Sequence, residues 1–77
     1  MNAWTVLEND RTVVFEDIRK DYGERRFCAI GKTEAEVLAV VVYTLRKSAT
    51  RIISFRKANE KEQRMFYEIN KSDIKEN

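Results

Sequence analysis

The chain has no histidine, one cysteine and two glycines, and these scarcities exclude several classes of site. Without histidine it cannot carry Ser-His-Asp or Cys-His catalysis, or a zinc ion bound by histidine. The single cysteine, Cys28, excludes an internal disulfide and a multi-cysteine metal site. Gly23 and Gly31 are too far apart for a P-loop or a dinucleotide fingerprint. We therefore expect neither a metal nor a cofactor.

Long hydrophobic stretches are also missing. The longest uninterrupted apolar run is residues 37–43, far short of the ~20 residues that span a bilayer. The N-terminus shows no basic region followed by an apolar stretch, so no signal peptide is evident. A lone thiol is typical of a reducing compartment, and the apolar neighbours of Cys28 predict that it fills the core. We expect a cytoplasmic protein without a membrane partner.

The length of 77 residues predicts one domain over residues 1–77. A chain of this size buries only about 60% of its unfolded surface. Such a small core leaves open stabilisation by a partner chain or by a homodimer.

The hydrophobic pattern predicts four strands and a C-terminal helix. Apolar and polar residues favour strands at residues 11–17, 24–32, 36–46 and 50–57, with a hairpin turn at residues 46–49. The third strand is apolar on both faces, which is typical of a central strand. Residues 3–7 fit either the last turn of a helix or the start of a strand. The predicted fold is an α+β meander of four antiparallel strands closed by the helix.

The helix is predicted to begin after Asn59, a favourable N-cap, with Glu62 placed to complete a capping box. Met65, Phe66 and Ile69 then share one helical stripe. Residues 71–77 are polar, and we expect them to fray.

Charge is unevenly distributed along the chain. Residues 8–24 contain six acidic and three basic residues, whereas residues 46–64 contain seven basic and two acidic residues. A basic last strand that leads into a basic first helical turn suits a phosphate backbone. The same charges could instead protect a solvated sheet edge against edge-to-edge aggregation.

Alternation within the last strand predicts which side chains share a face. Ser54 and Arg56 fall on the face of Ile52, and we expect this face to be open. Ile53 and Phe55 are expected to face the helix-covered core. On the second strand, Arg26 shares a face with Cys28 and Ile30. An open face that carries arginines and a serine suits an anionic ligand.

Two segments together form a more specific pattern. One is GERRFCAIG at residues 23–31, and the other is RIISFRKA at residues 51–58, followed by Glu62. In combination they resemble the BrnT family of toxins from bacterial type II toxin–antitoxin systems. The resemblance covers about residues 3–68.

This resemblance implies a RelE-like fold and a metal-independent ribonuclease that arrests translation. It also implies a cognate antitoxin that neutralises the toxin, with DNA reached only through the antitoxin. By motif position, the implied site residues are Arg26, Arg51, Ser54, Arg56, Lys57 and Glu62.

The sequence departs from the family pattern in two places. Family members usually begin with an additional basic helix that contains a His-Gly pair, and we expect this chain to lack it. The family also tends to place a tyrosine four residues after the helix glutamate. Phe66 occupies that position here, and Tyr67 follows, turned by about 100° around the helix.

Metal-free RNA cleavage assigns a role to each of these residues. Arg51 and Arg56, with Arg26 as a third candidate, would stabilise the phosphorane oxygens. The general base would be Lys57, with a pKa lowered by the neighbouring arginine, or Glu62.

Each role has a structural alternative. Ser54 would bind a phosphate or satisfy its own backbone, and Tyr67 would stack on a base or be a half-buried packing residue. Arg51 could simply pair with Glu24 or Glu62, and Glu62 could simply cap the helix. Trp4 and Phe15 are expected in the core, or at a partner interface if they are exposed.

Three functions remain open at this point. The first is a ribonuclease toxin bound by an antitoxin. The second is a shortened, inactive family member that binds only an antitoxin, RNA or itself. The third is an oligomerising α+β module whose exposed aromatic residues pair across a symmetric dimer.

Overall fold

The chain folds into one sheet with a helix at each end of the sequence. The computed structural model describes residues 1–18 and 23–74, with side chains as far as residue 71. The elements, in chain order, are α1 (Ala3–Glu8), β1 (Val13–Asp17), β2 (Arg26–Lys32), β3 (Leu38–Arg46), β4 (Ala49–Lys57) and α2 (Glu60–Ile74). The antiparallel order β1-β2-β3-β4 confirms the predicted α+β meander. None of the helices described is long and apolar enough to cross a membrane.

Both helices begin at side-chain caps. The Asn2 side chain accepts a hydrogen bond from the Trp4 N–H at 2.9 Å, which resolves the N-terminal ambiguity in favour of a helix. At α2, the Glu62 N–H donates to Asn59 Oδ1 and the Asn59 N–H donates to Glu62 Oε1, both at 2.8 Å. The predicted capping box is confirmed, and it fixes the Glu62 carboxylate at the first turn.

The helices cover opposite faces of the sheet. On one face, called the α1 face, buried Val6 packs against Ala29, Ala39 and Val41. On the other, called the α2 face, buried Phe66 packs in one cluster with Ile30, Leu38, Val40 and Ala58. Because both faces of β3 contribute to a core, it is the central strand that the sequence predicts.

A β-bulge in β4 changes the predicted facing of its side chains. Val42 pairs with Ser54 and the next residue, Tyr43, pairs with Ile52, so Ile53 is left without an opposing residue. Ile52 therefore packs on the α1 face with Phe55, and Ile53 is 39% exposed. The prediction that Ile52 shares the face of Ser54 and Arg56 was wrong, as was the core position of Ile53. The expectation that the face of Ser54 and Arg56 is open was also wrong, because α2 packs on that face through Phe66.

Several predicted core positions also prove to be exposed. Trp4 is 46% and Phe15 41% exposed, and Ile69 on α2 is 47% exposed. Asn70 replaces Ile69 in the buried stripe, because its Nδ2 donates to the Arg11 carbonyl at 3.2 Å and to the Phe66 carbonyl at 3.0 Å. Cys28 is buried, as expected.

Two predicted features, the frayed C-terminal tail and the turn at residues 21–23, lie partly outside the described residues. The helix α2 continues to Ile74, and the predicted fraying over residues 71–77 stays a prediction, with residues 75–77 outside the described part. The turn signal at residues 21–23 also falls largely outside it, although Gly23 takes a left-handed φ of 75°.

Candidate functional site

The strand register arranges the α2 face in parallel rows that cross the sheet. The first row is Val13, Ile30, Val40 and Arg56. The second is Phe15, Cys28, Val42 and Ser54. The third is Asp17, Arg26, Thr44 and Arg51. Successive rows lie about 6.6 Å apart, because each is two residues further along the strands.

Arg56 is held by Glu62 through a bidentate ion pair. Nη1 donates to Oε1 and Nη2 donates to Oε2, both at 2.7 Å, and Nη1 also donates to the Lys57 carbonyl at 3.2 Å. The capping box orients Glu62 from the opposite side. Arg56 at the end of β4 is therefore fixed in direction by the first turn of α2.

The Arg56 guanidinium lowers the pKa of Glu62 below the usual value for a glutamate, chiefly by hydrogen bonding to the carboxylate. The backbone N–H of Asn59 lowers it further, and burial opposes both effects. The Glu62 side chain is 19% exposed, whereas that of Arg56 is 49% exposed. The pair thus presents a cation to solvent and keeps its carboxylate behind.

A cavity of about 170 Å³ opens beside this pair on the α2 face. Its lining residues are Phe15, Cys28, Ile30, Val40, Val42, Arg56 and Glu62. Four of the five apolar residues come from β2 and β3 and form the floor, while Phe15 stands on edge strand β1. Arg56 and Glu62 are thus the charged groups of an otherwise apolar slot.

Three of the predicted site residues share the face but not the cavity lining. Ser54 lies one row from Arg56, and Arg26 and Arg51 lie two rows away, about 13 Å along the strands. Arg26 Nε donates to Glu24 Oε2 at 3.3 Å.

The expected pairing of Arg51 is not observed. Among the described residues Arg51 makes no ion pair, because Glu24 binds Arg46 at 3.1 Å and Glu62 binds Arg56. Arg51 is therefore an exposed cation of the third row that forms no ion pair within the described part of the chain.

Two other predicted residues lie away from the site. Lys57 pairs with Ala39, which places it on the α1 face, opposite to Arg56. The expectation that Arg56 acts directly on the Lys57 amine therefore loses its geometric basis. Tyr67 is 52% exposed and packs edge-on against Phe66, with ring centroids 5.3 Å apart. It lines a separate cavity with Lys32 and Lys57.

Sequence reasoning missed Phe15 and Cys28 as site residues. It placed both in the core because they are apolar within strands. The available signal was the alternation of side chains along the strands. Phe15 pairs with Cys28, and Cys28 was already assigned to the face of Arg26. An edge aromatic residue on that face was therefore recognisable once β1 and β2 were aligned.

The arrangement suits an anionic ligand better than a cation. Among residues 1–18 and 23–74, no group of three histidine, cysteine, aspartate or glutamate side chains could hold a metal ion. The exposed Arg56 guanidinium offers directed N–H donors that match phosphate oxygens. The apolar slot next to it can take a flat, uncharged group.

The family of the chain is shown by comparison with known proteins. No curated protein matches the chain. A family model described as the ribonuclease toxin BrnT of type II toxin–antitoxin systems matches residues 1–62, which include every strand and the Arg56–Glu62 pair. The chain therefore belongs to the BrnT family of ribonuclease toxins.

Proposed function

We propose that this chain cleaves RNA by attack of a ribose 2′-hydroxyl on the adjacent phosphorus. The 2′-oxygen bonds to phosphorus, the bond to the 5′-oxygen breaks, and a 2′,3′-cyclic phosphate and a 5′-hydroxyl result. The 2′-hydroxyl proton goes to solvent, and a solvent proton reaches the 5′-oxygen. The observation that carries this proposal is the exposed Arg56 guanidinium, fixed by Glu62 beside the slot.

Arg56 would stabilise the negative charge that develops on the phosphorane oxygens. Glu62 would be a positioning residue, since Oε1 accepts from Arg56 and from the Asn59 N–H, and Oε2 accepts from Arg56. A carboxylate with those donors and a lowered pKa is a weak proton acceptor. Arg51, Ser54 and Arg26 would bind flanking parts of the RNA strand.

We also propose that cleavage needs no metal ion, arrests translation and is blocked by a cognate antitoxin. Arg56 supports the first point, because it supplies the positive charge at phosphorus that a metal would otherwise provide. Membership of a type II toxin family supports the other two.

The decisive experiment is cleavage of total RNA by purified protein with EDTA present. We expect cleavage by the wild type and a loss of about 100- to 1,000-fold in Arg56→Ala, as for removal of one transition-state donor. Arg25→Ala is the matched control, since Arg25 also forms a bidentate pair, with Glu16 at 3.0 Å, but in another part of the sheet. Equal cleavage by wild type and Arg56→Ala would contradict the proposal.

A second candidate is an inactive family member that binds RNA or an antitoxin without turnover. The observation that favours it is the engagement of Glu62, in a chain whose sequence offers no histidine as an alternative base. It predicts that uncleaved RNA binds the wild type and that Arg56→Ala weakens this binding. Cleavage by the wild type alone would eliminate it.

A further inference from the structure

We infer that the slot beside Arg56 binds one nucleobase of single-stranded RNA, with Phe15 as its stacking surface. This inference rests on the proposed function and extends it to a group that positions the substrate. It starts from the lining of the slot, whose floor of Cys28, Ile30, Val40 and Val42 carries no charge. An apolar floor with one charged pair at its end suits a flat ring attached to an anion.

Phe15 provides the aromatic surface. Its side chain is 41% exposed although it projects from the same sheet face as buried Cys28, its cross-strand partner. An aromatic ring on an edge strand that borders a slot is what a splayed-out base can stack on. Val14, the preceding residue, pairs with Ala29 and lies on the α1 face, so it does not contribute to the stacking surface.

The dimensions fit a single nucleotide. The edge strands β1 and β4 are three strand spacings apart, which separates their backbones by about 14 Å. The Phe15 and Arg56 side chains both occupy part of that span. The cavity of about 170 Å³ is smaller than the ~300–1,000 Å³ of typical ligand pockets. A base against Phe15 with its phosphate at Arg56 would fill it, and a dinucleotide would not fit.

Charge favours an anionic occupant, and the apolar floor with an aromatic side chain at its edge favours a nucleobase over an acidic peptide side chain. Glu62 is the carboxylate of the lining, and Arg56 neutralises it at 2.7 Å. The row beyond Ser54 contains two arginines, Arg26 and Arg51, and one carboxylate, Asp17. Because Arg26 binds Glu24, Arg51 is the arginine of this row whose charge suits a phosphate chain that continues past the slot. The sugar–phosphate backbone would then run along β4 while one base turns into the slot.

Cys28 gives a readout of occupancy, because it lines the slot, is the single cysteine of the chain and is 8% exposed, so that its alkylation is slow and depends on access through the slot. The probe is a mixed-sequence single-stranded RNA with every 2′-hydroxyl replaced by hydrogen, so that it cannot be cleaved. We expect this oligonucleotide to slow iodoacetamide alkylation of Cys28, measured by mass spectrometry. Duplex of the same sequence should protect less, since its bases are paired and stacked.

Phe15→Leu tests the stacking role while keeping an apolar side chain. We expect it to weaken oligonucleotide binding about tenfold and to reduce protection of Cys28. Phe15→Tyr should restore both, and Val14→Ala on the opposite face should change neither. Thermal unfolding of each variant shows whether the fold is retained.

The outcomes separate this inference from the proposed function. Protection of Cys28 without cleavage of natural RNA would keep the base slot and overturn the ribonuclease. Cleavage with unchanged binding and unchanged site preference in Phe15→Leu would keep the ribonuclease and overturn the base slot. Protection by a co-purified protein partner but not by RNA would also overturn it, by showing that the slot receives a protein side chain.

Discussion

At the scale of single residues, the candidate site depends on one bidentate pair. Arg56 is the residue that faces solvent, and Glu62 is the residue that determines where it points. Lysine at position 56 would keep the charge but lose the paired N–H geometry that fits both carboxylate and phosphate. The pair also couples the site to stability, because the pKa of Glu62 differs from its unfolded value.

Glu62→Gln tests that coupling. A carboxyl whose pKa is lowered on folding adds stability above its unfolded pKa, near 4.5, and this stability is lost as the pH falls through the lower folded pKa. The wild-type Tm should therefore drop more steeply than that of Glu62→Gln between pH 5 and about pH 3. At pH 7 the variant should be the less stable protein.

The matched control for that comparison is Glu60→Gln. Glu60 lies in the same first turn of α2 and is exposed, with only Arg64 as its partner at 3.5 Å. Surface pairs of this kind contribute little. If both variants reduce the fall in Tm at acidic pH equally, general charge repulsion causes that fall, and the Arg56–Glu62 pair does not.

Sequence reasoning named Arg56 and Glu62 as candidate site residues but did not predict the contact between them. The segment at residues 51–58 indicated Arg56, and the capping signature indicated Glu62, but nothing local showed that the two meet. Their contact joins β4 to the first turn of α2, and it depends on tertiary packing, in which Phe66 of α2 is buried against the sheet. The separate placement of Tyr67 has the same origin.

At the scale of elements, the start of α2 serves both folding and the site. Asn59 satisfies the Glu62 N–H, and Glu62 satisfies the Asn59 N–H. A helix that begins elsewhere would move the carboxylate and, with it, Arg56. The capping box is therefore expected to affect activity as well as stability.

Asn59→Ala should lower the free energy of unfolding by about 1 kcal/mol, the usual effect of losing an N-cap side chain. Cleavage by the folded variant should also fall, since Glu62 loses an orienting contact. Chemical denaturation gives the first quantity, and cleavage at a temperature well below Tm gives the second. Asn59→Asp keeps the acceptor and should stay near the wild type in stability. If the free energy of unfolding and the cleavage rate of Asn59→Ala both equal those of the wild type, the start of α2 is fixed by packing alone.

The bulge in β4 shows where pattern analysis fails at this scale. Alternation correctly separates Ser54 and Arg56 from Phe55 on one side of the bulge, but it does not show that α2 packs on the face of Ser54 and Arg56. It fails at Ile52 and Ile53, because one extra residue shifts the parity of everything before it. Both residues are isoleucine, so their side chains carry no signal of which one is inserted.

At the scale of the whole molecule, charge is unevenly distributed along the chain, and a different helix covers each face of the sheet. Basic residues concentrate in 46–64 and acidic residues in 8–24. The sequence predicted this polarity and the strand order. It did not predict that α1 and α2 would cover opposite faces, because α1 is only six residues long and resembled a strand.

This polarity predicts how RNA binding depends on salt. The affinity for the uncleavable oligonucleotide should fall as salt rises, with a logarithmic slope of about −0.7 per phosphate neutralised. Arg51→Ala should weaken binding and make the slope shallower by about one such contact. Fluorescence anisotropy between 50 and 200 mM salt measures both.

Arg25→Ala removes the same charge from a different place, since Arg25 lies over the Phe27 ring at 5.3 Å and binds Glu16. Its slope should match that of the wild type. Equal changes of affinity and salt slope in Arg51→Ala and Arg25→Ala would mean that net charge controls binding and the position of Arg51 does not.

The unopposed Ile53 has a consequence for how relatives of this chain should align. The nine residues of β4 form only eight pairs with β3, so a relative that lacks the residue at position 53 would keep every other side chain of the strand on its present face. A gap further from the bulge would turn part of the strand over. An alignment built on residue identity alone would have no reason to prefer Ile53 to Ile52, whereas the pairing of Ile52 with Tyr43 fixes the choice.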